Sequence, residues 1–227
     1  MINDTKLSSI SGWATFSSRL QQEIAEQARI RHEKAGSIVF HQGMAAEVVA
    51  WTMKGLLFTQ TQHVNGDQTL LSHIPPGRLV LFNHVWQQRP VGRDYYAVTD
   101  VELLIFPRGY AAKLLAQHEE FKMFVIDALT ERLNDLDRVL YTHKVASREQ
   151  SIACFLVDCS IIEKDGFYLP FTMQFMADCL RLSRPFISNA LKILKNNSLI
   201  DLRYGKVFIL DIDRLRKIAY SREVFKL

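Results

Sequence analysis

The hydrophobic period of the chain changes near Tyr110, and that change limits the folds open to it. Before it, short apolar runs ("SIVF", "VVAWTMKGLLFTQTQ", "QTLLSHI", "RLVLF", "YYAVTDVELLIF") are punctuated by turn signals at Gly43, Gly55, Asn65-Gly66-Asp67 and Pro75-Pro76-Gly77. Such runs read as strands, and the Asn-Gly pair suits a tight hairpin because both residues tolerate positive φ. After Tyr110, apolar residues recur at three and four, the helical period. Strands first and helices afterwards make an α+β chain, with a small β-sandwich or barrel over residues 1–109. The amphipathic segment "SSRLQQEIAEQARI" ahead of the strands reads as a capping helix.

Residues 110–144 are expected to form a long helix with two apolar faces. Ile126, Leu129, Leu133, Leu136 and Leu140 are spaced three, four, three and four, a heptad seam held for two repeats. A second stripe, Phe121, Phe124, Val125 and Ala128, lies partly round the helix and suits packing on the β domain. A helix with one face for its own domain and another for a twin subunit is a dimerisation helix. The alternative is one thick core-facing stripe in a monomer.

"THKVASREQ" breaks the apolar pattern and is read as a hinge, which opens a last domain at 145–227. Helix, short strand, two helices and a hairpin follow, the parts of a winged helix. In "FTMQFMADCLRLSRPFISNALKILKNNSLI" Thr172 caps a helix beginning at Met173, and Ser183 caps a second one with Pro185 in its first turn. Phe186, Ile187, Ala190, Leu191 and Leu194 make the apolar back of that second helix. Arg184, Ser188, Asn189, Lys192 and Lys195 are left facing outward. Arg181 stands in the turn where glycine would be comfortable, either under modest backbone strain or as a phosphate contact.

Charge favours the same end of the chain. From Lys144 onward there are 14 Lys and Arg against nine Asp and Glu, whereas the first 143 residues hold 14 against 15. A basic domain with an amphipathic recognition helix suits nucleic acid. Arg184 can take guanine bidentately, Asn189 can take adenine, and Ser188 is short and tolerant. Lys192, Lys195 and Thr172 are better placed for phosphate, and Arg203 with Lys206 of the wing form a backbone clamp.

Other classes find little in the sequence. Three cysteines, Cys154, Cys159 and Cys179, form no CxxC pair, so neither disulfides nor a metal is expected. There is no glycine-rich phosphate loop, nucleophile elbow or HExxH, and the pairs Asp135/Asp137 and Asp211/Asp213 read as solvated or capping positions, so the chain is not expected to be an enzyme. No stretch reaches the ~18 apolar residues of a membrane span. A cytoplasmic protein is expected. A second functional reading is a signalling module that binds a small effector or a protein through its β domain and uses the winged helix on a protein partner.

The segments "REQSIACFLV" and "MADCLRLSRPFISNALKILKNNSLIDLRYGKVFILDIDRLRKIA" resemble the winged helix of the catabolite-activator/FNR (Crp/Fnr) family of bacterial transcription regulators. "PPGRLVLF" and "YAVTDVELLIFPR" resemble, more coarsely, the strands around that family's effector pocket. The resemblance spans roughly residues 30 to 220. It implies an N-terminal cyclic-nucleotide-binding-like β-roll or jelly roll, a dimerisation helix and a C-terminal winged helix-turn-helix. Carried over by position, Arg184, Ser188 and Asn189 would read bases, and Arg181 and Ser183 join them as DNA-binding candidates. Double-stranded DNA with an inverted-repeat operator, a second copy of the chain and RNA polymerase are the partners implied. Where many members carry an acidic residue and a mid-helix arginine, this chain has Pro185 and Asn189, so its operator should differ. The cassette that holds a cyclic nucleotide is also altered: "GRLVLFNHVWQQRPVGRDYYAV" has neither the Gly-Glu pair nor an Arg-Ser or Arg-Thr pair. No cyclic nucleotide and no cofactor is expected, and the effector, if any, is unknown. Arg89, Arg93 and Tyr95 are the pocket candidates.

Overall fold

The computed structural model describes residues 7, 10, 12–62, 68–163, 166–169, 171–203 and 206–221. They form two compact units, Met1–Gln62 with Ser72–Asn134, and His63–Leu71 with Asp135–Leu227. The expected Asn65-Gly66-Asp67 turn lies outside the described residues.

The first unit is built on strands β1 (Arg29–Glu33), β2 (Ile38–Phe40), β3 (Val48–Lys54), β4 (Leu57–Gln62), β5 (Gln68–Ile74), β6 (Leu79–Val80), β7 (Asp94–Ala97) and β8 (Val101–Pro107). They make two four-stranded sheets, ordered β1-β8-β3-β6 and β2-β7-β4-β5. In the first, Arg29 lies opposite Ile105 and Trp51 opposite Leu104; in the second, Phe58 lies opposite Tyr96, all antiparallel. Helix α1 (Ser18–Gln27) is capped by Ser17 and buries Leu20 and Ile24. One buried core gathers Val49, Trp51, Leu103 and Phe106 of one sheet, Phe40, Leu57 and Ala97 of the other, and the helical Phe121, Phe124 and Val125. Rings of Trp13, Phe16, Trp51 and Phe124 meet at centroid distances of 4.3 to 6.3 Å. Removing one such buried ring typically costs about 3–5 kcal/mol. Gly55, between β3 and β4, has φ 81°, and a Cβ there would stand 2.1 Å from the Asp100 carbonyl, so the turn admits no side chain.

Two expectations are corrected here. The capping helix ends at Gln27, and Arg29 and Ile30 already belong to β1. "RLVLF" is not a strand throughout: after Val80, Leu81 turns into the left-handed region (φ 66°) and Phe82–Trp86 form the short helix α2. Burial of Phe82 and Val85 on one side explains the apolar spelling.

After β8 come α3 (Arg108–Gln117) and the long α4 (Glu119–Lys144), interrupted at His118, whose backbone is extended. The stripe Phe121, Phe124 and Val125 is buried against the β core, and Ala128 packs against it. The heptad stripe is exposed along its whole length, from Ile126 (54%) and Leu129 through Leu133 (65%) and Leu136 to Leu140 (57%). The helix therefore has two apolar faces, and one of them is bare in a single chain.

The second unit holds α5 (Arg148–Asp158), α6 (Met173–Leu180), α7 (Arg184–Asn196) and α8 (Ile212–Ala219), with strands β9 (Ile161–Glu163), β10 (Gly166–Leu169), β11 (Ile200–Arg203) and β12 (Lys206–Ile209). The strands form one sheet ordered β11-β12-β10-β9. A capping box starts α5: Ser147 Oγ accepts from Gln150 N at 3.2 Å, and Gln150 Oε1 accepts from Ser147 N at 3.0 Å. Cys154, Cys159 and Cys179 are free and buried, and burial pushes all three thiols up, Cys154 to about 11. They are core residues. Asp211 caps α8, but Asp135 is not solvated as its sequence suggested: it is 1% exposed and lies 3.7 Å from Arg138 Nη1. Among the described residues no helix is long and apolar enough to cross a membrane, and no group of His, Cys, Asp and Glu could hold a metal.

Candidate nucleic-acid interface

Local signals fix the two helices of the interface. Thr172 Oγ1 accepts from Phe175 N at 3.2 Å and starts α6, which buries Met176, Ala177, Cys179 and Leu180. Arg181 then takes the left-handed conformation (φ 54°, ψ 40°), and Leu182 N donates to the Ala177 carbonyl at 3.1 Å. This is the turn geometry in which glycine is at ease, and a non-glycine residue carries a strain there of about 1–2 kcal/mol. Ser183 Oγ accepts from Phe186 N at 3.4 Å to start α7, with Pro185 in the first turn, where its missing N–H leaves nothing unpaired.

On α7, Ile187, Ala190 and Leu191 are buried, while Arg184, Asn189, Lys192 and Lys195 are exposed. Three expected side chains differ in degree. Phe186 and Leu194 are half-buried rather than buried, and Ser188 is half-buried rather than outward, because it lies at the edge between the two faces. The outward face still holds two base-reading residue types and two lysines.

The wing cations are less free than their sequence suggested. Lys195 Nζ lies 3.1 Å from Asp201 Oδ1, and Arg203 Nε lies 2.6 Å from Asp201 Oδ2. These two hydrogen bonds, with a third from Leu202 N at 2.8 Å, hold the Asp201 carboxyl down to about 2. The Arg203 guanidinium also lies 5.5 Å from the centre of the Phe208 ring, and Lys206 Nζ lies 4.6 Å from that of Tyr168. All three cations remain exposed.

Sequence reasoning missed other groups. The Arg148 guanidinium lies 6.0 Å from the ring centre of Phe186, which brings a further cation beside the first turn of α7. Burial, followed by the Arg181 and Lys144 charges, pulls His143 below the ordinary histidine value, so those cations gather close by. The basic hinge "THKVASREQ" was the available signal, but not its proximity to Phe186.

The effector candidates separate. Arg89 and Arg93 are exposed, while Tyr95 is buried among core residues and stacks edge-on with Phe40 at 5.8 Å. Burial pushes the Tyr95 hydroxyl up, against the pull of Arg132 and Arg93. Arg93 and Arg132 thus lie near Tyr95. Arg132 donates to Ser72 Oγ at 2.8 Å and to the His73 carbonyl at 3.0 Å, and the Thr59 and Ser72 hydroxyls lie 2.9 Å apart. This buried polar group inside a β domain was invisible in the sequence.

Comparison with known proteins agrees with this geometry. Residues 150–218 match the Crp-like helix-turn-helix domain. The HTH-type transcriptional regulator ArcR of Staphylococcus epidermidis is 25% identical over 182 residues, which cover 77% of this chain and 78% of ArcR. Two solved structures are FixK2 of Bradyrhizobium japonicum (TM-score 0.69, 14% identity, 86% of this chain and 98% of that one) and a CRP family transcriptional regulator of Thermus thermophilus (TM-score 0.65, 19% identity, 83% and 96%). Residues 150–218 are therefore a Crp-like helix-turn-helix domain, in a chain that shares the fold of the solved Crp/Fnr family transcription regulators.

Proposed function

We propose that the protein is a homodimeric, sequence-specific DNA-binding transcription regulator that acts without a cyclic nucleotide. The observation that carries the reading is α7, which has a buried apolar back and exposes Arg184, Asn189, Lys192 and Lys195 next to the wing cations. Such a helix fits the major groove with its N-terminal side chains toward base edges. Arg184 and Asn189 supply sequence discrimination, while Arg181, Lys192, Lys195, Arg203 and Lys206 meet the backbone.

The exposed seam on α4 supports the dimer. Two copies joined there would offer two recognition helices to half-sites about one helical turn apart, so the operator is an inverted repeat. The absence of both halves of the phosphate cassette from "GRLVLFNHVWQQRPVGRDYYAV" supports independence from cyclic nucleotides. The work of such a regulator is in the bacterial cytoplasm, with RNA polymerase as the further partner, and it involves no catalysis.

Selection of bound duplexes from a random pool, with purified protein and no added ligand, tests this. Enrichment of an inverted repeat is the expected result, with affinity that falls steeply as salt rises. A pool without enrichment would overturn ligand-independent DNA reading. Arg184→Ala should cost roughly 1–3 kcal/mol on the selected duplex and relax preference at one base pair. Equal loss on selected and random duplexes would remove Arg184 from base reading.

A further inference from the structure

Asp201 is out of place on a DNA-facing surface. A carboxylate near phosphates is repelled, and here it also occupies two of the cations assigned to phosphate. Its geometry points to a use. Asp201 and Arg203 are two residues apart on β11 and therefore share one face of the wing sheet, opposite Phe208 and Lys206 of β12. Both carboxylate oxygens are engaged: Oδ1 receives Lys195 Nζ and Leu202 N, and Oδ2 receives Arg203 Nε. Leu202 N fixes the carboxylate to its own strand, and the carboxylate in turn fixes Lys195, in the last turn of α7, beside Arg203 of the wing. Among the described residues Arg203 bonds Asp201 through Nε alone, which leaves both of its terminal amino groups to donate elsewhere, and Lys195 keeps two further N–H groups. Long cations held in one arrangement lose less freedom when they meet a ligand.

We propose that Asp201 is a positioning residue for DNA binding, a bridge that sets Lys195 of the recognition helix and Arg203 of the wing side by side against one stretch of backbone phosphates. The inference rests on the DNA-binding reading above. It separates from a plain charge effect by sign. Removing a negative charge raises affinity for any duplex, whereas losing the bridge lowers affinity only where the recognition helix is seated in register.

The test compares wild-type protein with Asp201→Asn on two probes, the duplex enriched from the random pool and a scrambled duplex of equal length and composition. The bridge predicts a loss of roughly five- to tenfold on the enriched duplex. Binding to the scrambled one should be equal or tighter, so that the specificity ratio falls. In a Lys195→Met background the same substitution should lose most of its effect, because half of the bridge is already gone. Asp201→Glu should restore part of the ratio. Tighter binding to both duplexes would show that the carboxylate only repels DNA. Equal weakening on both, or an unchanged effect in the Lys195→Met background, would show a general structural role. Either result overturns the proposal while leaving DNA binding intact, whereas wild-type protein that enriches no duplex overturns the underlying reading.

Discussion

Arg132 of α4 donates to Ser72 Oγ of β5 at 2.8 Å across 60 positions of sequence, and this contact ties the long helix to the β domain. A second donation to the His73 carbonyl at 3.0 Å makes the arginine bidentate. Arg132→Met keeps most of the side chain's length and apolar stem but leaves Ser72 and the His73 carbonyl without a charged donor. Charged hydrogen bonds in partly buried sites contribute about 1.5–3 kcal/mol. The variant should lower stability by that amount in urea denaturation; an unchanged midpoint would mean that water replaces the guanidinium at no cost.

Leu133 follows Arg132 and points the other way, 65% exposed in the single chain. Leu133→Asp should abolish the proposed dimer, since it would bury a charge in the proposed apolar seam. Because the side chain is bare in the monomer, the fold itself should change by no more than about 0.5 kcal/mol. Light scattering over a range of concentrations reads the first effect and thermal unfolding of dilute protein reads the second. A variant that stays dimeric would show that the subunits meet on another face.

Features fixed by near neighbours were legible in the sequence. Thr172, Ser183 and Pro185 each act within three residues, so caps and helix starts at the interface followed from spelling alone. The exposed heptad and buried Phe121 stripes of α4 were likewise a matter of spacing. What escaped depends on tertiary proximity. Asp201 meets Lys195 and Arg203 because β11 folds back along α7, Arg148 reaches Phe186 across α5 and α7, and Ser72 meets Arg132 across the β domain. The helix Phe82–Trp86 escaped because "RLVLF" is as apolar as a strand and no glycine marks the left-handed turn at Leu81.

Arg181 trades strain for charge. Its φ of 54° lies where glycine is free of the side-chain penalty, so Arg181→Gly relieves strain while giving the unfolded chain more freedom. The balance should leave stability equal or higher by up to about 1 kcal/mol. DNA binding should weaken all the same, with the slope of affinity against salt reduced by about one charge on any duplex. Calorimetry and salt titration of binding separate the two effects. An unchanged salt slope would restrict Arg181 to its role in the turn.

Asp158 gives the second unit a pH dependence of defined sign. Burial pushes its carboxyl up from the usual 3.8, against the Tyr220 hydroxyl, which donates to it at 2.5 Å, and the Arg138 charge, while Asp135 adds to the rise. A carboxyl whose folded value lies above its unfolded one favours folding fully below the unfolded value, and that favour is lost as pH rises through the folded value. Stability attributable to this group should therefore be highest below about pH 4 and decline toward neutrality. Asp158→Asn keeps an acceptor for Tyr220 and carries no charge to desolvate. It should match wild type near about pH 4, and equal or exceed it near about pH 7, with a flatter profile between the two. Denaturant unfolding across that range reads the difference. A variant that is weaker at neutral pH and equal in acid would mean that the ionised hydrogen bond to Tyr220 outweighs the cost of burying the charge.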